Sequence, residues 1–289
     1  MCGVLDDVVR FLSCPHCGES LARQSASLGC RTGHRFDVAR QGYASLLPPD
    51  GKGSVGDTAA MVQAREDFLA AGHFDHLAAE LAESAAEAAS QVAVDSCVVD
   101  VGAGTGYYLA AVLDRMPGRA GLALDASRFA LRRAARAHQR IGAVACDVWR
   151  GMPVADGGAA VVLNVFAPRN GAELERILAP GGRLLVITPA PPHMRELIPA
   201  LGLLTVDRRK QERLSRTLGP YFIRTAKRDI RRTVILDHQD VAAAAMMGPS
   251  AWQADPAARQ ARIRELPDPL GVTLSVTLSC YVREDRAHD

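Results

Sequence analysis

The sequence predicts an α/β protein: a Rossmann-like, mostly parallel sheet with a small metal-binding module at its N-terminal end. Three observations carry that expectation. Apolar runs alternate with helical stretches between residues 97 and 189, as a parallel sheet with crossover helices requires. The first run breaks into Asp100-Val101-Gly102-Ala103-Gly104-Thr105-Gly106, which reads as a strand, a tight glycine turn and a helix start. The chain also opens on Cys14-Pro15-His16-Cys17, followed by Cys30 and, after Arg31-Thr32-Gly33, by His34.

Composition sets the frame. At 289 residues and 48% hydrophobic, the chain can bury one substantial core and a small appendage. No apolar run spans a bilayer, and no basic region followed by an apolar core opens the chain, so a cytoplasmic location without a membrane partner is expected. Seven cysteines, an odd number, fit a reducing compartment better than a disulfide scaffold. A net charge of only +2 means that any nucleic-acid surface is local.

In chain order, the spacing Cys14-x2-Cys17-x12-Cys30-x3-His34 suits a structural zinc ion, whose four ligands come together tetrahedrally from two short knuckles. His16 lies inside the first knuckle and competes as a ligand, but His34 stands at the expected place on the second. So short a segment cannot build a sizeable core, and the metal supplies much of its folding energy. Residues 35–47 read as one or two strands with a turn at Gly42, and Pro48 to Ser54 as a loop that either links or touches substrate. Thr58 to Ser90 is helical with a break at Ala71-Gly72-His73. The chain thus divides into a zinc module (1–48), a linker with helices (49–93) and an α/β domain (94–289).

Within that domain, strands are expected at 121–125, 141–147, 159–164 and 183–189, with helices over 126–138 and 171–178, the latter ending at Pro180-Gly181-Gly182. Asp100, Asp125, Asp147 and Asn164 end four of the strands and would line one carboxyl-end crevice, Asp125 where a ribose is held. Arg128, Arg132, Arg133 and Arg136 read as the solvent face of a helix. Residues 207–232 place ten basic residues against three acids, a density that neutralises phosphates or simply solvates a surface, and read as a basic insert. Helices follow over 237–247 and 250–266, the second carrying Trp252 near its start, and a strand over 272–278 suits the far edge of the sheet.

A hydride-transferring enzyme would prefer Gly-x-Gly-x-x-Gly. The acid-led Gly-x-Gly-x-Gly here, with Asp125, Asp147 and the Pro180-Gly181-Gly182 turn, resembles the S-adenosylmethionine-dependent methyltransferases. More narrowly, the whole chain resembles the ribosomal RNA (guanine-N1)-methyltransferases of the RlmA and TlrB type. The match rests on the knuckles, on Phe36-Asp37-x-Ala39-Arg40-x-Gly42-Tyr43 and Met61-Val62-Gln63-Ala64-Arg65, on Phe68-Leu69-x-Ala71-Gly72-His73, and on Pro192-His193-Met194 and Met247-x-Pro249-x-x-Trp252. Asn164 to Asn170 and Met247 to Ser250 resemble the macrolide-resistance branch from antibiotic-producing actinobacteria.

That resemblance implies zinc on Cys14, Cys17, Cys30 and His34. It implies S-adenosylmethionine held around Asp100, Gly102, Gly104, Thr105, Gly106, Asp125, Asp147 and His193, and by Phe74, which stands where relatives can carry a tyrosine. The target base would arrive at Asn164, Phe166 and Pro168, with Phe166 as a stacking surface and no nearby carboxylate identified as general base. The implied reaction is N1 methylation of guanine 748 in the domain II hairpin of 23S rRNA, with resistance to macrolides such as tylosin or mycinamicin, in a homodimer. The zinc module and the basic stretch are the two RNA surfaces. Two other readings use the same residues: a catalytically silent zinc- and cofactor-binding RNA partner, and a small-molecule methyltransferase of a biosynthetic cluster, which would have little use for the knuckles.

Overall fold

The first strand after the helical pair, β5 (Cys97–Val101), is buried over its whole length because both of its faces meet packed side chains: Val98 in one apolar cluster, Cys97, Val99 and Val101 in another. Such a strand belongs at the centre of a parallel sheet. The computed structural model describes residues 4–47, 56–90, 92–93, 95–205, 210–248 and 255–284. In it β5 is flanked on one side by β6 (Gly121–Asp125) and β7 (Ile141–Ala145), and on the other by β8 (Ala159–Val165) and β9 (Leu178–Pro189), all parallel. The chain runs outward one way from β5 and then outward the other way from β8, so the switch point of the sheet lies between these two strands, where open α/β sheets bind ligands.

Two long antiparallel strands, β11 (Leu270–Arg283) and β10 (Phe222–Leu236), extend the sheet beyond β9. The strand over 272–278 is therefore longer than expected and is not the edge; β10 is. The stretch read from its charge as an insert holds, in its second half, that edge strand of the main sheet. Its side chains are exposed almost throughout, which hides the alternation that usually marks a strand. Its first half contains α8 (Lys210–Leu218), seated on the sheet by Leu214 and Leu218.

One face of the sheet carries α3 (Asp75–Ala89), α4 (Tyr107–Arg115), α5 (Arg128–Ala137), α7 (Leu197–Leu201), α9 (His238–Met246) and α10 (Pro256–Arg264). The other carries α1 (Val4–Val8), α6 (Gly171–Ile177) and α8. α2 (Ala59–Ala70) starts at Thr58, whose hydroxyl accepts from the Met61 amide, and it stops at the expected Ala71-Gly72 break. Arg119 ties α3 to the sheet: its buried guanidinium donates to the carbonyls of Ala89, Val92, Ala93 and Ser96, giving the last carbonyl of that helix, and the turn after it, a donor partner.

The metal module is a small antiparallel sheet of β1 (Ala22–Gln24), β2 (Ser27–Gly29) and β3 (Arg35–Asp37). Its continuation, β4 (Tyr43–Ser45), leaves that sheet and pairs in parallel with β7. α1 docks on the same strand, with Val8 so close to Gly142 that a Cβ there would meet it at 2.2 Å. The module is thus sewn onto the sheet edge. Residues 48–54, Pro249 and Trp252 lie outside the described residues, as do Arg208 and Arg209.

Candidate functional site

At the N-terminal end, two turns bring Cys14, Cys17, Cys30 and His34 together, with their four ligand atoms all within 4.8 Å of one another. Cys17 Sγ is 3.7 Å from Cys30 Sγ, and His34 Nδ1 is 3.4 Å from Cys30 and 3.6 Å from Cys14. A tetrahedron built on zinc–sulfur bonds of about 2.3 Å has edges near ~3.8 Å, so the residues present fit the ion. Nδ1 is the histidine atom turned to the sulfurs. His16 is not in the cluster; its ring packs against His34 and Phe36 instead.

Sequence reasoning missed Thr32. Its hydroxyl stands 3.0 Å from the sulfurs of both Cys17 and Cys30, and this hydrogen bonding is the main reason that both thiols lie below their ordinary range, Cys30 at about 6. Burial pushes the Cys14 thiol the other way.

The glycine loop follows β5 as expected, and its glycines have separate causes. A Cβ on Gly102 would fall 2.5 Å from Ala167 Cβ, so the loop and the turn after β8 touch backbone to side chain. A Cβ on Gly106 would fall 2.9 Å from the Ala134 backbone, so this glycine lets α4 meet α5. Gly104 faces Arg65, whose Nη1 would lie 3.4 Å from an added Cβ. Arg65 is itself anchored, to Asp57 at 2.5 Å and to the Met247 carbonyl at 2.6 Å, and so places a positive charge over the loop. The motif containing Arg65 is visible in the sequence, but its position over the loop is not.

The strand-end acids divide into two kinds. Asp125 accepts from the amides of Gly104 and Ser127, both at 2.8 Å, and thereby braces the loop against the start of α5. Asp147 accepts from the Trp149 amide at 3.0 Å, and the Trp149 ring is exposed; no sequence signal marked this tryptophan. Asp100 is fully buried and neither of its carboxylate oxygens has a hydrogen-bond partner among the described residues. Burial, with the Asp125 charge adding, pushes its carboxyl up to about 8. An orphaned acid behind a glycine cradle fits a ligand that brings donors or positive charge, as S-adenosylmethionine does through its ammonium and sulfonium groups.

Across the switch point, Asn164 is buried at the end of β8. Its Nδ2 donates to the Pro168 carbonyl at 2.9 Å, and its Oδ1 has no partner among the described residues. Phe166 follows with φ 55°, a left-handed conformation that a bulky side chain adopts only where its surroundings enforce it. Its ring lies 6.1 Å from that of Phe74 and 6.0 Å from that of His193, while Phe74 and His193 stack at 6.3 Å. The three rings, brought from the start of α3, the end of β8 and the turn after β9, form a triangle at one crevice. Phe74 packs without needing a hydroxyl. His193 Nδ1 accepts from the Ser275 amide at 3.1 Å, so the neutral ring carries its proton on Nε2.

One sequence reading is corrected here. Arg132 and Arg133 do not simply form the solvent face of α5; both are half-buried and, with Arg136, line a cavity of about 700 Å³ beside Thr105. It lies on the α4–α5 side of the loop, away from Asn164 and the ring triangle.

Parallel sheet, switch-point crevice, glycine cradle, strand-end acids and metal ribbon together define an S-adenosylmethionine-dependent methyltransferase that carries structural zinc. The comparisons narrow the class. Residues 12–55 match the N-terminal zinc-ribbon model of the RlmA family. The chain is 49% identical to the 23S rRNA (guanine(748)-N(1))-methyltransferase of Streptomyces fradiae, over 94% of this chain and 97% of that one. It is 48% identical to a relative from Micromonospora griseorubida named for the same (guanine-N(1)) chemistry on 23S rRNA, over 95% of this chain and 98% of that one. Among solved structures, geranyl diphosphate methyltransferase in complex with SAM aligns at 16% identity and a TM-score of 0.43, over 79% of this chain and 92% of that one. The chain belongs to the 23S rRNA (guanine-N1)-methyltransferase family.

Proposed function

We propose that this chain methylates N1 of guanine 748 in the domain II hairpin of 23S rRNA and that, as a cytoplasmic homodimer, it protects ribosomes from macrolides of the tylosin or mycinamicin type. The observation that carries the site assignment is the switch point between β5 and β8, where β8 ends in the buried Asn164, its Oδ1 unpartnered among the described residues, and the turn after it brings Phe166 against the Phe74 and His193 rings. When bound, S-adenosylmethionine supplies an activated methyl group. Gly102, Gly104, Thr105 and Gly106 would hold its tail through the loop backbone, Asp100 would offer the acid behind it, Asp125 and Asp147 would serve the ribose and adenine side, and Phe74 and His193 would pack against it.

The chain's own task is to align guanine N1 and to favour loss of its proton. Asn164 Oδ1 is an acceptor suited to an N–H on the Watson–Crick edge of guanine, and Phe166, 41% exposed, offers a face for stacking. The stretch Asn164-Val165-Phe166-Ala167-Pro168 contains no acid, so no carboxylate of this turn takes the N1 proton, which passes to solvent water as the methyl group is transferred. The zinc ribbon grips the folded RNA. Zinc module, helical linker and methyltransferase domain are the working units, with the basic stretch over 207–232 as a second RNA surface.

The test uses purified full-length protein, methyl-labelled S-adenosylmethionine and a 23S rRNA transcript. One methyl per RNA and a single reverse-transcriptase stop at guanine 748 are expected. Label that stays off RNA while the cofactor still binds, or a stop at another nucleotide, overturns the assignment.

A further inference from the structure

The cavity beside Thr105 is not part of the crevice just described, yet it borders both working parts of the chain. Gln41, on the turn between β3 and β4, forms one wall, and Thr105 of the glycine loop forms another. The turn leans on α5: a Cβ on Gly42 would stand 3.6 Å from Ala135 Cβ. Leu69, Ala70, Ala110 and Ala137 make the apolar lining. Arg132 and Arg136, one helical turn apart, present guanidinium groups from the same face of α5.

The charge there is unbalanced. Among the described residues Glu66 is the only acid in the lining, and it is engaged by Arg133 at 3.2 Å, with Gln63 holding the other end of that guanidinium at 2.8 Å. Arg132 Nε is buried with no hydrogen-bond partner among the described residues, although its guanidinium lies 5.8 Å over the Phe129 ring. A buried cationic donor without an acceptor is costly, and a phosphate oxygen is the acceptor that guanidinium geometry matches best. At about 700 Å³ the cavity is larger than one phosphate group needs and has an apolar lining for what the phosphate carries.

We propose that this cavity is a subsite for one nucleotide of the substrate RNA outside the methylated base. Arg132 and Arg136 hold its phosphate, and the apolar lining takes its ribose or base. The assignment rests on the reading of the chain as a 23S rRNA methyltransferase. An RNA gripped by the ribbon and delivered to the β5–β8 crevice has both neighbours of this cavity as partners, which a free anion would not need.

The test compares full-length wild type with the double variant Arg132→Gln/Arg136→Gln, using a 23S rRNA transcript and a series of salt concentrations. The variant should bind RNA about tenfold more weakly or worse at low salt, and its log K against log salt slope should flatten by roughly one unit. KM for RNA should rise while kcat at saturating RNA and the affinity for S-adenosylmethionine stay within about twofold. Arg128→Gln, on the same helix but outside the cavity, should lose less than about twofold and controls for net charge.

Unchanged RNA affinity and slope in the double variant overturn the proposal, as does an equal loss in Arg128→Gln or a parallel loss of cofactor affinity and thermal stability. If inorganic phosphate binds the wild type and not the variant while RNA binding is unaltered, the cavity is a small-anion site and the RNA assignment falls. A wild type that methylates rRNA normally beside an unimpaired variant sinks only this subsite; a wild type that leaves rRNA unmethylated sinks the functional reading and the subsite with it.

Discussion

The zinc ribbon and the central sheet lie edge to edge, yet opposite means hold them together. In the ribbon, β1 is exposed throughout, β2 buries Leu28 and Gly29, and β3 buries only Phe36, so its three-residue strands have little apolar surface to remove from water. In the sheet, every residue of β5, β7 and β8 is buried. The sheet is held by cover on both of its faces; the ribbon adds only a few side chains, Leu21, Leu28 and Phe36 among them, to one of those apolar clusters and relies more on the four ligand atoms that converge on one point. Sequence changes of the same chemical size should therefore have very different effects in the two regions.

The largest effect is expected at the metal. Cys30→Ser should abolish stoichiometric zinc, measured by atomic absorption, and lower rRNA methylation by at least about a hundredfold, since structural zinc contributes on the order of 10 kcal/mol to a small module. Amide exchange should become fast over residues 13–37 while β5 and β6 stay protected and the affinity for S-adenosylmethionine changes by less than about twofold. Loss of protection in β5 would show that the two regions unfold as one unit and would erase the contrast.

A smaller loss, confined to the other region, is expected from Arg119→Ala. It strips hydrogen bonds from the carbonyls of Ala89, Val92, Ala93 and Ser96 and should cost about 3 kcal/mol in urea unfolding, with zinc content unaltered. A change below about 1 kcal/mol would mean that water replaces this arginine readily.

The smallest effect concerns pH. Partial burial raises the Glu196 carboxyl, but the Thr273 amide and hydroxyl outweigh it and hold the group at about 2. A depressed carboxylate stabilises the fold above its unfolded pKa of about 4.3, and that contribution disappears as pH falls through the folded value. Glu196→Gln should therefore be less stable than wild type at pH 7, and the gap should close between pH ~4.5 and ~2. A gap that persists unchanged at the acid end would assign the effect to packing alone.

How much of this was legible in the sequence also differs between the regions. The zinc ligands are readable from spacing alone, because coordination requires few residue types at short intervals. The four strand ends and the glycine loop are readable because parallel strands leave apolar runs that stop abruptly. The edge strand β10 is not, since residues exposed on both faces carry no alternation and its arginines suggest a charged insertion. Arg119 and Arg65 escape for another reason: their partners are distant in sequence, and an arginine that binds carbonyls or overhangs a loop looks the same in one dimension as one in solvent. Arg132 and Arg136 follow a surface pattern until α2 and the ribbon turn place walls around them.

The parallel pairing of β4 with β7 sets a rule for anyone wishing to exchange ribbons between relatives. A junction placed just after His34 or Asp37 would separate the metal knuckles from the strand that anchors them and leave the backbone of β7 as an open edge, a template for aggregation. The transplantable unit is the whole stretch from α1 through β4, Val8 with its groove at Gly142 included, so chimeras should be cut no earlier than Leu47.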